Sequence, residues 1–304
     1  MRIQSLLAAA AFAVAIPLSA PSHAQDLPDA PVESIDLGGG VHALITNRAG
    51  NVGVLVGEDG VFMVDTQMAP LAPAIDDAQR EVSGQDVELV VNTHLHGDHV
   101  LGNKYFAEKG AIIMAHPSVR PALENPVTSQ LTGRTPDPLS GDFLPSVDIT
   151  EGLKVHMNGE TVHFHHEPTA HTGGDIWVHF EQADVIHAGD LLFSGVFPYI
   201  DLDNGGTVNG MIAGMQSIVD AAGPETQIIA GHGPMSTEAD LQASIAMLTE
   251  GRARVAELVK AGLSLEEIQA ENPLADFHDD WNWRFITTER MTWTFYRDLT
   301  GKTQ

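Results

Sequence analysis

At 304 residues, with 43% of them hydrophobic and 18% charged, the chain can build a full core, and disorder through charge is excluded. Its 15 Lys and Arg against 41 Asp and Glu give a formal charge of −26, which argues against nucleic acid and anionic membrane surfaces as partners. Cysteine is absent, so disulfides, a thiol nucleophile and thiolate metal sites are ruled out; the 15 histidines raise the weight of metal or acid–base chemistry.

Residues 1–24 read as a leader and not as fold. Arg2 supplies a short positive start, Leu6 to Ile16 an apolar run too short to span a bilayer, and Ser22-His23-Ala24 a small-x-small cleavage site. A periplasmic or secreted protein with no membrane anchor is the expectation, its mature part (25–304) forming a single domain. Residues 25–34 are Pro-rich and polar, a loose arm. Apolar runs at 41–45, 52–56 and 61–65, separated by Asn, Gly and Asp turn signals, predict a strand meander. A helical pattern covers 70–82, and Val87 to Asn92 is a continuously apolar strand of the kind buried on both faces. A helix at 102–109 and a strand at 111–115 follow. The stretch 124–150, rich in Pro, Gly, Thr and Asp, is a long loop, and such loops are usually functional or disordered.

The second half repeats the theme, with strands at 161–166, 176–180, 184–188 and 227–230 and helices at 208–221, 238–261 and 288–299. Ser264 with Glu267 matches a capping box. Trp281, Trp283 and Phe285 are read as core packing. The loop at 124–150 and the Asn204-Gly205-Gly206 turn are candidate walls of a substrate cleft.

The strongest local signal is Thr93-His94-Leu95-His96-Gly97-Asp98-His99, between the buried strand and a helix. Three imidazoles and a carboxylate so close together are costly to bury without a cation. Nitrogen and oxygen donors without thiolate suit zinc, with iron and manganese also compatible. His94 and His96 can aim at one centre, and Asp98 and His99, beyond Gly97, at an adjacent one. His171, Asp190 and His232 each follow a strand-like run and neighbour a glycine. Singly each is weak, since a histidine after a strand is more often a surface or capping residue; together they complete two metal shells. His156, His163, His165, His166, His179 and His187 are read as decorating sheet faces or edges.

The order His94-x-His96-x-Asp98-His99, then His171, Asp190 and His232, resembles the metallo-β-lactamase superfamily over nearly the whole mature chain. That resemblance implies a four-layer αβ/βα sandwich, two sheets face to face with helices outside. It implies two Zn2+ per chain, one on His94, His96 and His171, the other on Asp98, His99 and His232, with Asp190 bridging. It also implies a hydrolase acting on a small molecule, in which a hydroxide held between the zincs attacks a carbonyl. Asp98 would orient that hydroxide and Tyr199 would stabilise the oxyanion, with packing beside Phe197 and Pro198 the competing role for Tyr199. Thr93 and Asp175 are candidate partners of the ligand imidazoles. Opening of a β-lactam or similar cyclic amide or ester is the expected reaction; a thioesterase, lactonase or other ester hydrolase is the alternative. Family β-lactamases often have Cys where Asp190 stands and a Lys soon after it; here 191–200 holds no cation, leaving Arg134 on the long loop as the remote candidate anchor. No basic cluster suits a glutathione carboxylate or a nucleic-acid phosphate, so those branches are less expected.

Overall fold

Short runs of β-branched residues cut by tight turns form the first strands of the computed structural model, which describes residues 31–46 and 49–303. The expected leader and most of the expected arm lie outside the described residues. β1 (Glu33–Gly38), β2 (Val41–Ile45), β3 (Val52–Gly57) and β4 (Gly60–Val64) make an antiparallel meander. After α1 (Ala72–Ser83) the chain turns parallel: β5 (Val87–Val91), the short helices α2 (Gly97–Val100) and α3 (Asn103–Ala107), β6 (Ile112–Ala115), α4 (Val119–Glu124) and β7 (Val147–Asp148). These strands form one seven-stranded sheet in sequence order.

The second sheet has five strands in the order β12-β11-β10-β9-β8. It comprises β8 (Lys154–Met157), β9 (Glu160–Glu167), β10 (Asp175–Phe180), β11 (Val185–Phe193) and, after α5 (Val208–Ala221), β12 (Gln227–His232). The chain closes with α6 (Glu238–Lys260), α7 (Leu265–Glu271), α8 (His278–Trp281) and α9 (Thr288–Thr300). α7 starts at the predicted capping box, Ser264 accepting from the Glu267 amide and the Glu267 carboxylate accepting in return.

Three cores make four layers. Val41, Ala43, Leu55, Phe62 and Val64 of the first sheet interlock with Val162, Phe164, Val178, Phe180 and Ile229 of the second. The other face of the first sheet, through Val54, Val61 and Met63, is covered by Ile75 of α1 and Phe106 of α3. The other face of the second, through Ile186, Ala188 and Ile228, is covered by Met211 and Met215 of α5, Leu241 and Leu248 of α6, and Phe295 of α9. This is the expected αβ/βα sandwich.

Three differences from the sequence reading have physical causes. β1 begins inside the expected arm because pairing with β2, not local propensity, orders it. The long loop is anchored by β7, whose two residues carry no periodic signal. β11 runs on to Phe193, so that Asp190, expected just after a strand, lies within one. Gly189 makes this extension possible: its φ of 52° puts a bulge in the pairing with β12 and re-aims the next side chain.

Candidate metal centre

The site forms where strands of both sheets end. β5 delivers Thr93 and His94, the following loop His96, and α2 Asp98 and His99. Asp65, one residue beyond the fully buried β4, fixes this segment: its carboxylate accepts from the Thr93 amide at 2.7 Å and the Thr93 hydroxyl at 2.8 Å, and pairs with His99 Nδ1 at 2.7 Å. His99 is left with Nε2 facing inward. Thr93 Oγ1 also lies 3.0 Å from His94 Nδ1, so Thr93 does partner one of the candidate ligand imidazoles.

From the second sheet, His171 stands on the loop between β9 and β10. Its Nδ1 bonds the Tyr199 carbonyl at 2.7 Å, which leaves Nε2 to face His96 Nδ1 at 2.8 Å. His96 Nε2 pairs with Asp201 Oδ2 at 2.9 Å. Residues 199–201 therefore strap two imidazoles and set which nitrogen of each faces the centre. Asp175 acts one step further out, holding the amide and hydroxyl of Thr172 beside His171. His232 ends β12, next to Gly231, where a Cβ would come within 2.2 Å of Asp190 Oδ1.

The side chains converge in two groups, His94, His96, His171 and Asp190, and Asp98, His99 and His232, each with its ligand atoms within 4.8 Å of one another. Asp190 faces both. Its Oδ2 lies 3.4 Å from His171 Nε2 and 3.6 Å from His94 Nε2, while its Oδ1 lies 3.1 Å from His99 Nε2 and 3.4 Å from His232 Nε2. Asp98 Oδ2 is 3.2 Å from His232 Nε2. His94, His99, His171 and Asp190 are buried, whereas His96 and His232 are 19% exposed and Asp98 is 25% exposed, so these three face the mouth.

The donor set fits a divalent pair. His99 Nε2 and Asp190 Oδ1 are buried without a hydrogen bond although they face one another, an arrangement a cation would satisfy. The carboxylates and imidazoles also act on one another. Burial works against charge on Asp190, but His232, His99 and His94 outweigh it and hold the carboxyl well below its ordinary value. Burial likewise opposes charge on His99 and His232, yet the carboxylates win, Asp190 foremost, raising His99 well above the usual range and His232 to about 10. Burial prevails at His94, driven well below, and at His171, lowered to about 4. Without a cation, the carboxylates hold protons on the second group's imidazoles.

Tyr199 is half-buried with its ring 5.3 Å from that of His96, and its hydroxyl is 3.4 Å from Ser129 Oγ of the long loop. Burial pushes its phenol up, so it stays a donor. The same loop bonds Asp203 through the Gln130 amide, and Gly173 beside His171 bonds the Asn204 carbonyl, so both candidate walls adjoin the ligand loops. Asp65, Asp201 and Asn51 escaped the sequence reading. Asp65 had a visible signal, an acid ending a run of buried apolar residues. Asp201 and Asn51, whose amide donates to the Ala230 and Gly233 carbonyls, had none. His163, His165 and His179 do share the outer face of the second sheet, with His166 stacked on His116. His187, expected on a face or edge, is fully buried between the sheets beside Gly53.

Known proteins share this fold. The family model described as the Metallo-beta-lactamase superfamily matches residues 45–262. Hydroxyacylglutathione hydrolases of Brucella ovis and Brucella abortus are 30% identical over 148 residues, 48% of this chain and 49% of theirs. The chain thus spans about half the length of the curated relatives it matches. Among solved structures, a metallo-beta-lactamase from Pontibacter korlensis superposes with a TM-score of 0.58 at 15% identity, covering 72% of this chain and 99% of that one. The sec-alkylsulfatase Pisa1 from Pseudomonas sp. superposes with a TM-score of 0.65 at 15% identity, covering 89% of this chain and 50% of that one. At these identities the structural likeness concerns the fold.

Proposed function

The chain belongs to the metallo-beta-lactamase superfamily, and from that membership we propose that it is a binuclear zinc hydrolase that cleaves a carboxylic ester, thioester or lactone. The observation that carries this reading is Asp190, whose two oxygens face different ligand groups. The similarity to hydroxyacylglutathione hydrolases over half their length supports a thioester among the substrates, against the lower standing that branch had from sequence.

Ions bound there would supply Lewis acidity toward a carbonyl and would lower the pKa of water toward neutrality. The protein's own groups do the rest. Asp98, at the mouth and held ionised by His99 and His232 against the opposing effect of burial, orients the attacking water by accepting a hydrogen bond from it. The Tyr199 hydroxyl donates to the carbonyl oxygen as negative charge develops on it. Asp65 and Asp201 keep His99 and His96 turned inward.

β-Lactam opening is the second reading, supported by the same machinery acting on a strained amide. The segment after Asp190 weakens it. Phe193 is buried against His232 and Ser194 accepts from the Ser236 hydroxyl, so neither offers a cation to a substrate carboxylate. Zinc-loaded protein assayed on neutral esters, lactones and thioesters beside β-lactams separates the two. Elemental analysis should give two ions per chain, and chelation should abolish turnover. One ion at saturation would sink the binuclear reading, and turnover confined to β-lactams would sink the first substrate class.

A further inference from the structure

Four aromatic rings border the cluster on one side. Phe193 stacks on His232, ring centroids 4.8 Å apart and planes 11° apart. Trp283 lies 6.2 Å from Phe193, Phe285 5.7 Å from Trp283, and Tyr199 5.4 Å from Phe285. Tyr199 returns to His96 at 5.3 Å. The rings thus run from His232 to His96, the two imidazoles open to the mouth. Tyr199, Trp283 and Phe285 are only partly buried.

Two rings of this wall come from a distant part of the chain, beyond the residues matched by the family model. That segment is tied to the loop after β11. The Phe197 amide donates to the Trp281 carbonyl and the Trp283 indole to the Phe197 carbonyl, both at 2.8 Å. One cation lies against the wall, Arg290, which donates to the Phe285 carbonyl and sits over the Phe285 ring, 5.7 Å from its centroid, leaving Trp283 and Tyr199 without such a neighbour among the described residues; Arg284, between Trp283 and Phe285 in sequence, is exposed. A preformed, fixed aromatic surface beside reactive groups binds apolar matter without an ordering cost.

Resting on the hydrolase reading above, we propose that the substrate carries an uncharged apolar acyl or aryl group seated on this crescent, with Trp283 and Phe285 setting the preference. Each methylene laid on such a wall should tighten binding by about two- to fourfold.

The test uses neutral straight-chain hydroxamic acids, acetyl to octanoyl, titrated by calorimetry into zinc-loaded protein, beside phenyl esters of the same acyl series under turnover. Affinity and kcat/KM should both climb with chain length, the latter through KM. Trp283→Ala and Phe285→Ala should flatten both slopes. Trp283→Phe and Phe285→Leu, which keep an apolar body and guard against loss of folding, should give intermediate slopes. A flat or falling series in the parent overturns the inference. So does tighter binding of an acid-terminated chain than of its alkyl match, which would make Arg284 or Arg290 the anchor. If hydroxamates show the slope but no ester or thioester is cleaved, the wall stands and the hydrolase reading fails.

Discussion

The molecule gathers histidines in two places and treats them differently. In the cleft, His94, His96, His99, His171 and His232 surround Asp190 and Asp98. On the outer face of the second sheet, His163, His165 and His179 lie in a row with ring centroids 6.1–6.2 Å apart, beside a groove of about 870 Å3 that contains none of the cleft residues. The outer rings find other partners: His163 pairs with the exposed Glu181, and His165 stacks on Trp177 at 3.8 Å. Burial without a carboxylate lowers His165 to about 4, whereas His232 is raised to about 10 among carboxylates. The lesson is that imidazole density alone does not assemble a candidate metal centre in this molecule; in the cleft the rings converge on a buried carboxylate, and on the outer face they do not.

Four experiments sharpen or break this contrast. The largest effect is expected at the convergence point: Asp190→Ala should remove metal and activity together, a loss well beyond the roughly 100-fold typical of an outer partner. Retention of two ions with full turnover would show that Asp190 is no bridge. Next, Asp65→Asn and Asp201→Asn should each weaken zinc affinity by about 10- to 100-fold while leaving the saturated stoichiometry at two, measured by competition with a chromophoric chelator. An unchanged affinity would reduce both to packing groups.

The third lies on the outer face, where His165→Gln should leave metal content intact. Its effect belongs to stability. The folded value near 4 lies below the unfolded value of about 6.5, so the unfolded chain binds the extra proton between them. Stability is therefore full above about pH 6.5 and declines as pH falls toward 4; the glutamine variant should decline less steeply in thermal melts. A parallel decline in both proteins would acquit His165. The smallest effect is long-range. With a formal charge of −26, the protein repels anionic substrates, and added salt should lower KM for a carboxylate-bearing β-lactam by about twofold while leaving a neutral lactone unmoved. Tight, salt-independent binding would require a cation at the mouth, Arg134 being the first to replace.

Much of this was legible in advance, for reasons that differ by residue. The candidate ligands could be read because most of them lie close to the end of an apolar run, where the change to Gly, His and Asp is local in sequence. The helices at 208–221 and 238–260 announced themselves through their apolar stripes. Asp201 could not be read, because it meets His96 only through the fold, 105 residues away. The true reach of β11 was hidden by Gly189, which resembles a turn in sequence and serves as a bulge in space. Trp283 and Phe285 were read as packing, which they do, but nothing local betrayed that their other neighbours include Tyr199 and Phe193.

Asn51 binds the Ala230 and Gly233 carbonyls, and Asp203, just past the strap on His96 and His171, is clamped by Arg297 of α9. Parts of the chain far apart in sequence thus hold the same centre, which bears on the order of events during synthesis. A nascent chain presents His94, His96, Asp98 and His99 long before His171, Asp190 and His232 exist, and the clamp comes later still. Early metal capture would meet only a partial, exposed set of donors. Ions held by both groups would therefore be acquired late, once the second sheet has closed on the first, and chains truncated before β12 should not hold them.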